Sequence, residues 1–122
     1  MSGGVVTPAQ VEQKLIQLSR EYDDAHGQLE TAEYRYAKAK TDYEIGIAKE
    51  RMRIGQRALE AGRKVTVQEK EDEALVSCAD LYTENNIAEA SVRAARANAT
   101  RLRTQIDITR SVGTAVRAAL DL

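Results

Sequence analysis

Apolar residues recur along this chain in alternating steps of four and three. From Val11 the series runs through Leu15, Leu18, Tyr22, Ala25, Leu29, Ala32, Tyr36 and Ala39 to Tyr43. That spacing is the a and d pattern of a heptad repeat, which keeps one stripe of a helix facing a partner helix. A second series runs through Ala74, Cys78, Leu81, Asn85, Ala88, Val92, Ala95, Ala99 and Leu102 to Ile106. Two such series in one chain predict an all-α fold, a long antiparallel two-helix hairpin of the coiled-coil kind.

End signals set the boundaries. Thr7-Pro8-Ala9-Gln10 offers a capping hydroxyl, a proline at the first helical position and a glutamine to close a capping box. The first helix is expected over residues 7–61, about 55 residues and roughly 80 Å long, behind a flexible lead at 1–6. Gly62 supplies a C-terminal cap. Thr66-Val67-Gln68-Glu69 is a second capping box of the stronger Thr-x-x-Glu type. Arg57, Arg63 and Lys64 at the end of the first helix, and Glu69, Glu71, Asp72 and Glu73 at the start of the second, complement the helix dipoles on each side. These signals predict a turn at 62–65, a second helix at 67–120, and one helical-hairpin domain over 7–122.

Two glycines interrupt the pattern. Gly46 falls where an apolar d residue is due, and the seam restarts one residue late at Ile47, Arg51, Ile54, Ala58 and Ala61. A bend, unwinding or break is expected near Gly46, because glycine inside a helix costs about 1 kcal/mol. Gly113 is expected to be a weak point in the second helix.

The turn makes the helices antiparallel, so only a few offsets bring a positions against d positions. The offset whose paired numbers sum to 131 sets large residues against small ones. It places Tyr36 opposite Ala95, Ala25 opposite Ile106, Leu18 opposite Gly113 and Val11 opposite Leu120. Asn85 occupies a core position, where a lone polar residue sets register at a cost in stability. Ile16, Ile45, Val76, Ile87 and Ile108 lie off the seam. Five β-branched apolar residues outside a single seam predict self-association, a homodimer with a four-helix arrangement first.

Composition narrows the functions available. Over 122 residues, 18 Lys and Arg balance 19 Asp and Glu, so no net field steers the chain toward nucleic acid or an anionic membrane. No apolar run approaches the roughly 18 residues of a membrane span. Phe and Trp are absent, and the one cysteine, Cys78, has no internal disulfide partner. His26 is the only histidine, with no second ligand or base at usable spacing. No glycine-rich phosphate loop is present. These features predict a non-enzymatic protein with no cofactor and no metal.

One polar constellation stands out. Arg96, Arg103, Arg110 and Arg117 recur every seven residues at e positions, and Arg93 and Arg101 join them. Flanking arginines commonly pair across the seam. In the expected register Glu12 lies near Arg117 and Glu33 near Arg96, while Arg103 and Arg110 face His26 and Ser19 with no acid opposite. The second use of such a stripe is contact with an anion or an acidic partner, through the bidentate guanidinium fork. No aromatic residues are interleaved there to stack bases.

The stretch from Leu29 to Leu120 includes "TAEYRYAKAKTDYE", a basic helix end, "VTVQEKEDEAL" and "RAARANATRLRTQIDITRSVGTAVRAAL". It resembles the small helical proteins encoded by bacteriophages, notably those of actinobacterial hosts, some of which lie among early or recombination genes. The resemblance implies a viral protein of the infected host's cytoplasm or of the virion, and it carries no catalytic residues. The function expected is an interaction or structural hairpin that binds itself and another protein. The alternative is a nucleic-acid-binding accessory in recombination or replication that uses the arginine-rich half of the second helix.

Overall fold

The computed structural model describes residues 5–121. The fold is all-α. Helix α1 spans Pro8–Glu60, α2 spans Val67–Ser77 and α3 spans Ala79–Leu120. The long helices α1 and α3 pack against each other as a helical hairpin. Of the expected flexible lead, residues 1–4 lie outside the described residues; Val5, Val6 and Thr7 precede α1 with no helical structure.

Both capping boxes form. The Gln10 amide donates to Thr7 Oγ1 at 3.2 Å, and the Thr7 amide donates to Gln10 Oε1 at 3.0 Å. The Glu69 amide donates to Thr66 Oγ1 at 3.0 Å, and the Thr66 amide donates to Glu69 Oε2 at 3.4 Å. Each box satisfies amides that the first helical turn leaves without intrahelical partners. At the far end of α1, Gly62 adopts φ of 64°. The Arg63 amide then reaches the Ala58 carbonyl at 2.9 Å and the Gly62 amide reaches that of Leu59 at 3.1 Å. This is a Schellman cap, and the left-handed residue it needs is the one the sequence supplies.

The chain divides into two compact units. Among the described residues, unit 1 comprises 5–30 and 93–121, and unit 2 comprises 31–92. In unit 1, Leu18, Ala25, Ala99, Leu102 and Ile106 form the buried cluster, with Leu15 and Tyr22 packed on it. In unit 2, Ile47, Ile54, Ala74 and Cys78 are buried together, with Tyr43 and Val65 against them.

The register differs from the expected one by one heptad. In unit 1 a Cβ built on Gly113 would lie 2.9 Å from Val11 Cγ1, so Gly113 faces Val11 rather than Leu18. In unit 2 a Cβ on Gly46 would lie 2.6 Å from Leu81 Cδ1 and 3.7 Å from Cys78 Sγ. The Tyr43 and Tyr82 rings lie 5.7 Å apart. These contacts fit paired numbers summing to 124 or a little more. The two candidate offsets both match a positions to d positions, so apolar periodicity alone does not separate them. Close approach does: glycines at both sites admit neighbours that the large-against-small rule assigned elsewhere.

The second expected helix is divided. No break interrupts α1 at Gly46, and α3 continues through Gly113. The interruption falls across the seam from Gly46, at Cys78, whose backbone sits at φ −104° and ψ 22°. Hydrogen bonding continues through it, from the Cys78 amide to the Ala74 carbonyl at 3.0 Å and from the Tyr82 amide to the Cys78 carbonyl at 2.9 Å. The one-residue slip of the seam in α1 is thus met by a local change of course in the facing helix. The missing Cβ at Gly46 gives Cys78 and Leu81 the room for it.

Candidate functional site

The chemistry of this chain lies on its outer faces. Cys78 is 5 % exposed among apolar neighbours, where a thiol serves as a small hydrophobe. His26 stacks on Tyr22, with ring centroids 5.7 Å apart and planes at 21°. Among the described residues no group of three His, Cys, Asp or Glu is placed to hold a metal ion. No helix among them is long and apolar enough to cross a membrane.

All six arginines singled out in the sequence, Arg93, Arg96, Arg101, Arg103, Arg110 and Arg117, are exposed. Arg101 donates to Asn98 Oδ1 on its own helix at 2.8 Å. Arg103 and Arg110 border a shallow groove of unit 1 with Ser19, Tyr22, Asp23 and Asp107. Asp23 and Asp107 line this groove, where the expected register set no acid opposite the two arginines. Even so, among the described residues neither Arg103 nor Arg110 reaches a carboxylate within ion-pair distance, and the expected pairing of Arg117 with Glu12 does not form.

Ion pairs concentrate in unit 2, where acidic α2 meets the basic end of α1. Arg51 pairs with Glu71 at 2.6 Å and Arg57 with Glu73 at 3.5 Å. Within α1, Arg53 grips Glu50 through two bonds of 3.1 and 2.7 Å. That hydrogen-bonded guanidinium holds the Glu50 carboxyl below its ordinary value and raises the pKa of Arg53 in turn. All these groups are solvated, so the pairs orient the turn more than they stabilise it.

The five off-seam residues are all exposed: Ile16 by 54 %, Ile45 by 50 %, Val76 by 76 %, Ile87 by 56 % and Ile108 by 57 %. Their heptad positions separate them. Ile45, Ile87 and Ile108 fall at c, Ile16 at b and Val76 at f, so they do not form one stripe. Asn85 sits at the seam as expected, and its Oδ1 is buried without a hydrogen-bond partner among the described residues.

Sequence reasoning missed a groove on one flank of unit 2. It is lined by Arg35, Lys38, Ala39 and Asp42 of α1 and by Leu81, Glu84, Ile87, Ala88 and Ser91 of α3. The available signal was a pair of alanines at facing seam positions, which leaves the seam shallow.

These features define a class, the all-α helical hairpin with solvated polar faces. Compared with protein families, with curated proteins and with solved structures, the chain has no match.

Proposed function

We propose that this protein is a non-enzymatic interaction module, a helical hairpin that binds a second copy of itself and another protein. We place it as an accessory or structural component of a bacteriophage, acting in the infected cell's cytoplasm or in the virion. The observation that carries the reading is the exposure of Ile16, Ile45, Val76, Ile87 and Ile108, each at least half open to solvent. Scattered exposed apolar residues are ordinary. Five β-branched ones on a hairpin with a single seam are apolar surface that association would remove from water.

Light scattering at tens of micromolar tests self-association. The expected mass is twice the 13.5 kDa of one chain, and a strictly monomeric mass refutes it. Affinity purification from infected actinobacterial cells, with mass spectrometry of what co-purifies, tests the phage partner. Recovery of host proteins unrelated to phage growth refutes that placement.

A second reading rests on one specific observation, the exposed guanidinium groups of Arg103, Arg110 and Arg117, which among the described residues have no carboxylate within ion-pair distance. It is a nucleic-acid-binding accessory of recombination or replication. Phosphate neutralisation predicts affinity that falls steeply with salt. Absence of a gel shift at about 50 mM salt, where such binding is strong, ends this reading.

A further inference from the structure

The outer side of α1 in unit 2 carries a second heptad stripe. From Thr41 it runs in steps of four and three through Ile45, Ala48, Met52 and Gly55 to Leu59, and Lys38 and Tyr34 continue it toward the start of the unit. Unlike the seam, it does not slip at Gly46. Residues at this spacing share one face of a helix. That face is bare: Tyr34 is 73 % exposed, Ile45 50 %, Met52 75 % and Leu59 76 %. Glycine inside a helix lowers its stability, and a Cβ on Gly55 would meet nothing within 4 Å. The fold of one chain gives that glycine no use; close approach by another helix does.

Charges flank the stripe. Arg35, Asp42, Lys49 and Gln56 lie on one side, and Glu44 and Arg51 on the other, between Ala37 and Ala58. Asp42 holds Lys38 at 3.1 Å, and Arg51 holds Glu71 at 2.6 Å. Glu44 and Lys49 have no opposite charge within ion-pair distance among the described residues. Lys40 and Arg53 stand further round α1, and Arg53 is gripped by Glu50.

We propose that this stripe pairs antiparallel with the same stripe of a second copy, about a two-fold axis that crosses α1 at the level of Gly46. The inference rests on the self-association proposed above and names its surface and symmetry. A two-fold interface brings one patch against itself, so the patch must complement its own image. Setting Ile45 against Ala48 of the second copy also sets Met52 against Thr41, Gly55 against Lys38 and Leu59 against Tyr34, each twice. Large residue meets small in the first two pairs, as close packing requires, and the lysine stem crosses the open glycine. The same offset brings Glu44 to Arg51 of the second copy and Lys49 to its Asp42, each within two residues, about 3 Å of helix rise. The two charges left over in one chain thus each meet an opposite charge. Asp42 has a second carboxylate oxygen and Arg51 further N–H groups for them. Sliding the copies by one heptad sets Arg51 on Arg51 and Lys49 on Lys49 in one direction, and Glu44 on Glu44 and Asp42 on Asp42 in the other, which is destabilising. A parallel pair sets Lys38 on Lys38, and within this unit only Glu44 with Lys49 meets an opposite charge. Packing and charge therefore select the same offset.

The test is light scattering and sedimentation across about 1 to 100 μM, a span of dissociation constants that separates dimer from monomer. Circular dichroism of each variant confirms that it remains helical. Wild type is expected to be dimeric, and Met52→Asp, at an exposed site, abolishes the dimer. Asp42→Lys and Lys49→Asp each weaken it at least ten-fold, and both in one chain restore it, because the charges are exchanged but still opposite. In a Cys78→Ala background, chains carrying Thr41→Cys and chains carrying Met52→Cys cross-link to each other on oxidation, and neither cross-links to itself. A wild-type monomer overturns self-association itself. A wild-type dimer indifferent to Met52→Asp and to the charge changes leaves self-association standing and overturns this surface. Failure of the exchanged chain to recover, or Thr41→Cys chains that cross-link to one another, overturns the antiparallel pairing.

Discussion

Gly46 and Gly27 both lie inside α1, and substituting alanine at each separates two effects that usually travel together. Gly→Ala inside a helix gains about 1 kcal/mol from backbone propensity alone. A Cβ on Gly27 meets nothing within 4 Å, so Gly27→Ala realises the whole gain. A Cβ on Gly46 meets Leu81 Cδ1 at 2.6 Å, about 1 Å inside the ordinary carbon–carbon contact of roughly 3.5–4.0 Å. Overpacking costs about 1–3 kcal/mol. Leu81 is half-buried and the clash is with the end of its flexible side chain, so the lower part of that range applies. Gly46→Ala should therefore fall about 1–2 kcal/mol below Gly27→Ala, or roughly 4–8 °C in Tm for a chain of this size. Thermal and urea unfolding followed by circular dichroism measure both. Adding Leu81→Ala removes the clash, so the double-mutant cycle should return a favourable coupling of about 1–2 kcal/mol. If Gly46→Ala stabilises as much as Gly27→Ala, Leu81 is not against Gly46 and the register is wrong.

Other substitutions probe separate parts of the fold. Asn85→Leu removes a buried acceptor that has no partner among the described residues and should raise stability by about 1 kcal/mol or more in urea unfolding; destabilisation would mean that Oδ1 is satisfied in solution. Thr66→Ala should cost about 1 kcal/mol through loss of the capping box. Gly62→Ala should cost about 1–2 kcal/mol by forcing a side chain into the left-handed region, with Gly62→Asn milder in the same melts. Glu50 is held below the ordinary glutamate value of about 4.3 by Arg53, so its contribution is present above that value and is lost as pH falls through the lowered folded one. Carboxyl NMR titration should find the Glu50 midpoint depressed in wild type and restored in Arg53→Ala; equal midpoints would show that the pair does not persist.

The fold was legible in the sequence wherever one residue dictates one local geometry. Thr7, Pro8 and Gln10 begin α1, Gly62 ends it, and Thr66 with Glu69 begins α2, because capping depends on neighbours a few residues away. Register was less legible, since offsets of one heptad place apolar residues against apolar residues equally well. What separates them is the space left by Gly46 and Gly113, which only the facing side chain reveals. Gly46 did mark an irregularity, but the interruption appears in the facing helix, at Cys78. A helix that loses a side chain can stay helical while its neighbour moves into the gap. The groove along Ala39 and Ala88 was hidden for a related reason. Alanine satisfies an apolar pattern as well as leucine does, and it fills far less space.

The interruption at Cys78 bears on how this protein responds to heat and exchange. It leaves α2 an 11-residue helix with Ala74 as its buried residue, below the roughly 12–15 residues at which isolated helices become even marginal. Its ties to α1 through Arg51 and Arg57 are solvated and weak. Because α3 begins its own turns after Cys78, α2 can melt while α3 keeps its hydrogen bonds. Amide exchange should then show a step at that residue, with α2 amides exchanging by a low-energy local opening and those of α3 protected to higher free energy. On warming, the bend of the hairpin would come apart first and bare Ile54, while the long helices still held their shape.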